Sequence, residues 1–154
     1  MKIRQVRKSD AFEWLRMRNQ LWYSPPESLE EHSQEIDQYY STNDPHLETF
    51  VIERPNGKLG GFLEVNIRSY AEGCKSSRVG YIEGWYVDSD LRRQGWGKAL
   101  VLAAENWAKQ KGIEEMASDC ELDNSISLQA HLALGYLEVE RIICFRKVLK
   151  KEEF

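Results

Sequence analysis

A chain of 154 residues, 42% of them hydrophobic, suits one globular domain that buries roughly two thirds of its unfolded surface around a single core. Its formal net charge of −4, with Lys and Arg scattered, excludes the basic stripe of a nucleic-acid binder and suits a cationic ligand. No apolar leader opens "MKIRQVRKSD", no stretch approaches the ~20 apolar residues of a membrane span, and Cys74, Cys120 and Cys144 lack metal or disulfide spacing, so the expectation is a cytoplasmic protein with reduced thiols, no metal and no membrane anchor.

A short strand is expected at Lys2–Val6. Asp10, with Glu13 three residues on, reads as a capping box that opens a helix over Ala11–Leu21. Ala11, Trp14, Leu15, Leu21 and Trp22 share its inner face. Pro25 and Pro26 break it. The next helix turns Leu29, Ile36, Tyr39 and Tyr40 inward and leaves Glu27, Glu30, Glu31, Glu35 and Asp37 to solvent, an acidic outer side. From Thr49 the period becomes two: "TFVIER" and "LGGFLEVNIR" flank Arg54-Pro55-Asn56-Gly57, a hairpin signal. After the polar "SYAEGCKSS", a third strand is expected at Val79–Val87. A helix follows, with Leu100, Ala103, Ala104 and Trp107 on one face and Gly112 as its stop. "IEEMASD" reads as a strand, Asn124–Leu134 as a helix ended by Gly135, and "YLEVERIICFRKVL" as one or two final strands. No repeat or linker interrupts the chain. The pattern predicts an α+β fold with a mixed, mostly antiparallel sheet, one domain over residues 1–150 and a short charged tail at 151–154.

The stretch "VDSDLRRQGWGKAL" leaves a strand, crosses a basic loop and enters a helix on two glycines. Helix starts carry unpaired N–H groups and about half a positive charge, and glycines let a phosphate approach them. Gln94, Gly95, Trp96, Gly97 and Lys98 would supply the donors, with Arg92 and Arg93 beside them. The alternative is a charged surface turn whose glycines only punctuate the helix entry. A P-loop is excluded, since no Ser or Thr follows Lys98 and no Gly stands five before Gly97. A Rossmann fingerprint begins at Gly95-Trp96-Gly97 but finds Leu100 in place of its third glycine, and antiparallel strands precede it.

Arg92-Arg93-Gln94-Gly95-Trp96-Gly97 resembles the pyrophosphate loop of the GNAT superfamily of acyl-CoA-dependent N-acetyltransferases: Gln or Arg, two residues, Gly, one residue, then Gly or Ala. Asn124, Ser127, His131 and Gly135-Tyr136 match the rhythm of that superfamily's next strand–helix unit, and "IRQVRKSDAFEWLRMR" is similar to its opening strand and helix. "LEVNIR", "YIEGWYV", "ASDCELDNSIS", "HLALGY" and Leu21-Trp22 at the start of a substrate lid resemble the aminoglycoside 6'-N-acetyltransferases within it. The resemblance implies acetyl-CoA as co-substrate, a splay between the two central strands, a polycationic amine acceptor attacked directly in a ternary complex, and a homodimer. A second enzyme reading changes the acceptor to a polyamine, a small amine or a protein N-terminus; a third is a non-catalytic acyl-CoA-binding module.

Acetyl transfer from a thioester needs a neutral amine, a polarised carbonyl and a proton for the thiolate. The resemblance assigns the carbonyl to the backbone N–H of Val87, with Tyr86 beside it at the strand end. Glu83 sits mid-strand among large apolar residues where a carboxylate is disfavoured, so it is either a base and substrate carboxylate or an outward-facing strand residue. Gly80 and Gly84 would permit a close ligand approach. Asp119, at a strand end, either binds a substrate ammonium and shares the base role or serves a turn; Glu121 and Asp123 read as solvated. Asn124 caps the next helix and, by the resemblance, contacts the pantetheine arm. His131 stands where the superfamily usually has Tyr, and is either a donor to the sulfur or a structural histidine; a thiol pKa of about 8.5 makes thiolate a good leaving group with weak acid help. Trp22, Tyr23 and Tyr70 could wall a sugar site. Trp14, Trp85, Trp107 and Tyr136 read as core.

Overall fold

Strands β1 (Lys2–Gln5), β2 (Leu47–Glu53), β3 (Leu59–Arg68), β4 (Val79–Val87) and β5 (Met116–Ser118) lie in that order in one sheet, with β1 to β4 antiparallel and β5 parallel to β4. Helices α1 (Ala11–Leu21), α2 (Leu29–Thr42), α3 (Trp96–Gln110) and α4 (Ser125–Ala133) complete the order. The computed structural model describes residues 1–22 and 29–150; Tyr23, the Pro25-Pro26 break and Glu27 lie outside the described residues. The chain divides into two units, Met1–Asp119 and Cys120–Phe154.

In the first unit, side chains alternate between the two sheet faces. Trp14 and Met17 of α1 and Ile36 of α2 bury themselves with Val51, Leu59 and Phe62. On the other face α3 buries Leu100, Val101, Ala104, Trp107 and Ala108 and packs across β2, β3 and β4. Thr49–Ile52 are buried on both faces, which explains their near-continuous apolar run. The hairpin turn forms at the expected residues: Gly57 N–H donates to Arg54 O (2.9 Å), and Gly57 takes φ 82°, open to glycine at no steric penalty. Leu29, expected inward, is exposed.

The capping box at Asp10 and Glu13 is not formed. Asp10 turns to Arg4, which donates to both its oxygens (2.7 and 3.0 Å), and accepts the Arg7 N–H (2.7 Å); Glu13 accepts from Leu59 N–H (3.1 Å) and Arg16 (2.7 Å). A bidentate guanidinium from the adjacent strand outcompetes one helix N–H for the carboxylate.

Two irregularities shape β4. Its register with β3 jumps from Glu64↔Gly84 to Val65↔Ile82, leaving Glu83 as a bulge with no ladder partner. Its pairing with β5 covers only Gly80–Ile82, so Glu83–Val87 has no β5 partner among the described residues. The open edge of β4 beyond β5 is where the splay was expected.

In the second unit, Asn124 caps α4, accepting Ser127 N–H at 3.0 Å, and Gly135 follows the helix end with φ 89°. The final strands expected in "YLEVERIICFRKVL" carry no ladder among the described residues 136–150. Apolar alternation describes a segment's faces, whereas a strand also needs a neighbouring ladder of N–H and C=O groups.

Candidate active site

The bulge turns consecutive residues Glu83 and Gly84 toward the α1 side of the sheet. Glu83 accepts from Arg68 at both oxygens (Nε 2.8 Å, Nη2 2.7 Å) and from Asn66 Nδ2 (3.4 Å). Gly84 lies under Trp22, whose Cη2 would be 2.6 Å from an added Cβ. Gly80 is likewise covered, by Met116 Sδ at 2.5 Å from such a Cβ. The close approach expected of a ligand at these glycines is therefore made by the protein's own side chains, because a bulged, glycine-bearing strand leaves a hollow that the nearest large residue fills.

Asp119 joins the same cluster. It accepts the Tyr81 hydroxyl, and the Arg68 guanidinium carbon lies 3.6 Å from the centre of the Tyr81 ring. Burial, then the hydrogen bond and charge of Asp119, push the Tyr81 phenol well above its ordinary range, so it remains a donor. Glu83 and Asp119 are thus linked through Arg68 and Tyr81, two residues to which the sequence pattern assigns no role. Their signal was available: Glu64, Asn66 and Arg68 recur at period two on β3, a polar row against apolar Leu63, Val65 and Ile67.

The backbone at the end of β4 is oriented by the sheet. Asp88 N–H donates to Gly60 O (2.8 Å) while Gly61 opposes Val87, which makes Gly61 and Val87 a non-hydrogen-bonded pair. The N–H and C=O of Val87 therefore point away from β3, toward the splayed edge; the C=O accepts from Arg92 Nε (2.8 Å). Asp88 anchors this end. Arg16 donates to both its oxygens (3.1 Å each), Arg54 to one (3.0 Å), and the Tyr86 hydroxyl to the other (3.0 Å). Burial alone would raise the Asp88 pKa, but these donors more than offset it and hold the carboxyl below its usual range. The Tyr86 ring packs near Phe62 with Arg92 5.8 Å away, so Tyr86 serves the loop through Asp88.

Beyond a turn at Ser89–Leu91 the loop exposes Arg92, Arg93 and Gln94, with Arg93 at φ 62° and Gly95 at φ 87°. Gly95 precedes α3, and no side chain caps the helix. The N–H groups of Trp96, Gly97 and Lys98 stand in its first turn, where the helix supplies no acceptor. Gly97 has a packing reason: a Cβ added there would lie 3.3 Å from the Trp85 ring, whose Nε1 donates to the Gly97 carbonyl (3.1 Å). An uncapped, glycine-led helix start flanked by Arg92, Arg93 and Lys98 can hold a phosphate.

Trp22 is half-buried, stacked on His32 (5.9 Å) and 5.2 Å from the Arg18 guanidinium. Tyr70 is exposed in the loop after β3. In the second unit, His131 Nδ1 lies 2.7 Å from Ser127 O, a pure acceptor, so Nδ1 carries the proton.

The sequence profile described as "Acetyltransferase (GNAT) family" matches residues 11–136. An aminoglycoside N(6')-acetyltransferase type 1 from Klebsiella aerogenes is 46% identical over 148 residues, covering 96% of each chain. Among solved structures, AAC(6')-Iy in complex with the bisubstrate analogue CoA-S-monomethyl-acetylneamine superposes with a TM-score of 0.82 at 38% identity, covering 96% of this chain and 97% of that one. Apo AAC(6')-IG from Acinetobacter haemolyticus superposes at 0.88 with 34% identity over 97% of this chain and all 100% of that one. With this sheet and this order of elements, the chain belongs to the GNAT family of acetyltransferases and is a homologue of the aminoglycoside 6'-N-acetyltransferases.

Proposed function

We propose that this protein moves the acetyl group of acetyl-CoA to the 6'-amine of an aminoglycoside by direct attack in a ternary complex, and so confers resistance to such antibiotics. The relatives named above support the acceptor. The observation that carries the reading in this chain is the Val87 N–H aimed at the splayed edge, on the strand that also bears the bulged Glu83 and leads into the helix start at Gly95.

Arg92 to Lys98 hold the pyrophosphate, and the Val87 N–H polarises the thioester carbonyl. Glu83 takes the ammonium proton, directly or through a water, and Asp119 binds a further substrate cation. Asn124 contacts the pantetheine arm and His131 donates to the departing sulfur. Trp22 and Tyr70 border the acceptor.

One acetyltransferase domain over residues 1–150, with a charged tail at 151–154, acts in the cytoplasm as a homodimer. Leu137, Val139, Ile142, Ile143, Phe145, Val148 and Leu149 are exposed and support the homodimer: a second copy would remove this apolar surface from water. Light scattering that finds only monomer would remove that part of the reading.

A thiol-release assay with acetyl-CoA and kanamycin tests the reaction, with the acetylated position read by NMR. CoA release and a 6'-acetyl product are expected. Release with spermidine or peptides but none with aminoglycosides would overturn the acceptor, and tight CoA binding without release to any amine would reduce the protein to a binding module.

A further inference from the structure

Arg68 occupies surroundings that suit an ammonium ion. Its guanidinium is paired at 2.8 and 2.7 Å with both oxygens of Glu83 and lies 3.6 Å from the centre of the Tyr81 ring, whose hydroxyl is bound by Asp119. Carboxylate plus aromatic face is how proteins recognise amine cations. Two further facts make the occupant exchangeable. The Arg68 side chain is 39% exposed and that of Glu83 30%, a setting in which an ion pair contributes little net stability. Arg68 is also the last residue of β3, so its side chain can swing out without disturbing the ladder.

We propose that Arg68 is a tethered stand-in for the acceptor's ammonium group, which the incoming substrate must displace, and that it sets the preference for polycations. This rests on the reading of Glu83 as the carboxylate that meets the amine. The Arg68 fork offers two parallel hydrogen bonds to Glu83, which one ammonium replaces poorly. A polycation adds contacts to Asp119 and to the rest of the acidic surface, so it displaces the fork where a monoamine does not. Removing the fork therefore helps small acceptors most.

The test compares kanamycin with the monoamine 6-amino-6-deoxyglucose in the unaltered enzyme and in Arg68→Met. The monoamine KM is expected to fall about fivefold, the scale of one such ion pair, with a smaller fall for kanamycin and no change in the acetyl-CoA KM. Methylguanidinium added to Arg68→Ala is expected to compete with the acceptor and not with acetyl-CoA. Acceptor KM values that rise, or that fall equally for both amines, would overturn the proposal and leave Arg68 as a positioning residue for Glu83. If Arg68→Met does not fold, Arg68→Lys, which keeps the charge and loses the two-point fork, is expected to lower the monoamine KM in the same direction by a smaller factor. Glu83→Gln separates the two ideas: unchanged acceptor KM and turnover there would remove the Glu83 reading itself, whereas a loss there with unchanged selectivity in Arg68→Met would remove only the stand-in.

Discussion

Two arginine–carboxylate pairs sit on β3, and they differ in burial. Arg18 donates to both oxygens of Glu64 (2.7 Å each) and to Glu35 (2.7 Å), while Trp14 Nε1 donates to Glu64 (3.0 Å). The Arg18 and Glu64 side chains are 8% and 14% exposed, against 39% and 30% for Arg68 and Glu83. The guanidinium of Arg18 lies beside Trp14 and Trp22, as that of Arg68 lies on Tyr81. The same chemistry thus serves two ends. Where water is excluded, the pair locks α1 and α2 onto the sheet, and where water enters, the pair can be exchanged for a ligand.

The comparison breaks most sharply at the carboxylates. Glu83→Gln is expected to cut turnover by about 10²–10⁴-fold, the range of a general base, with little change in Tm; steady-state kinetics and a thermal melt check both halves. A melt that drops as far as the turnover would make Glu83 structural. Arg18→Met should do the reverse, destabilising the fold by about 3–5 kcal/mol in urea unfolding because Glu64 is left buried and unpaired. Adding Glu64→Gln to it should recover much of that loss, and no recovery would show that the charge is not the cause.

A smaller effect joins the two regions. Gly84→Ala drives a methyl into Trp22, which should cost about 1–3 kcal/mol of stability and raise the acceptor KM more than the acetyl-CoA KM. Equal changes in both would detach Trp22 from the acceptor side. The smallest concerns pH. Asp88 and Asp10 both have folded pKa values below their unfolded ones, despite burial, because arginines hold them ionised. Their contribution is present above the unfolded carboxylate pKa of about 4 and is lost as pH falls through the lower folded values. Stability should be flat from neutrality down to about pH 5 and fall below it. Asp88→Asn should flatten that slope, and an unaltered slope would place the acid sensitivity elsewhere.

Element types and ends along the first unit were legible because each follows local rules. The helix over Ala11–Leu21 and the strand over Val79–Val87 match the expected bounds, since apolar period and flanking turn residues act within a few positions. The glycine-led helix start before α3 was legible for the same reason: backbone N–H groups and glycines at a helix start form a contiguous motif. Asp10 was misread because its partner, Arg4, six residues back on β1, reaches it only once the strand and the helix pack, and the spacing of residues within the helix does not show that. The segment after Gly135 showed its alternation and nothing of its pairing.

Residue order alone carries the succession of elements, the loop at Arg92–Lys98, and the oddity of a carboxylate at Glu83 in an apolar strand. Which way Glu83 points was decided by the bulge, a register shift between two strands that arises only when the sheet forms. The partners Arg68 and Asn66 and the aim of the Val87 N–H follow from that same pairing of β3 with β4, and the meeting of Tyr81 with Asp119 follows from the pairing of β4 with β5. Residues as far apart as Tyr81 and Asp119, 38 positions, meet only because hydrogen-bonded ladders set their relative height, and no one-dimensional pattern carries that information.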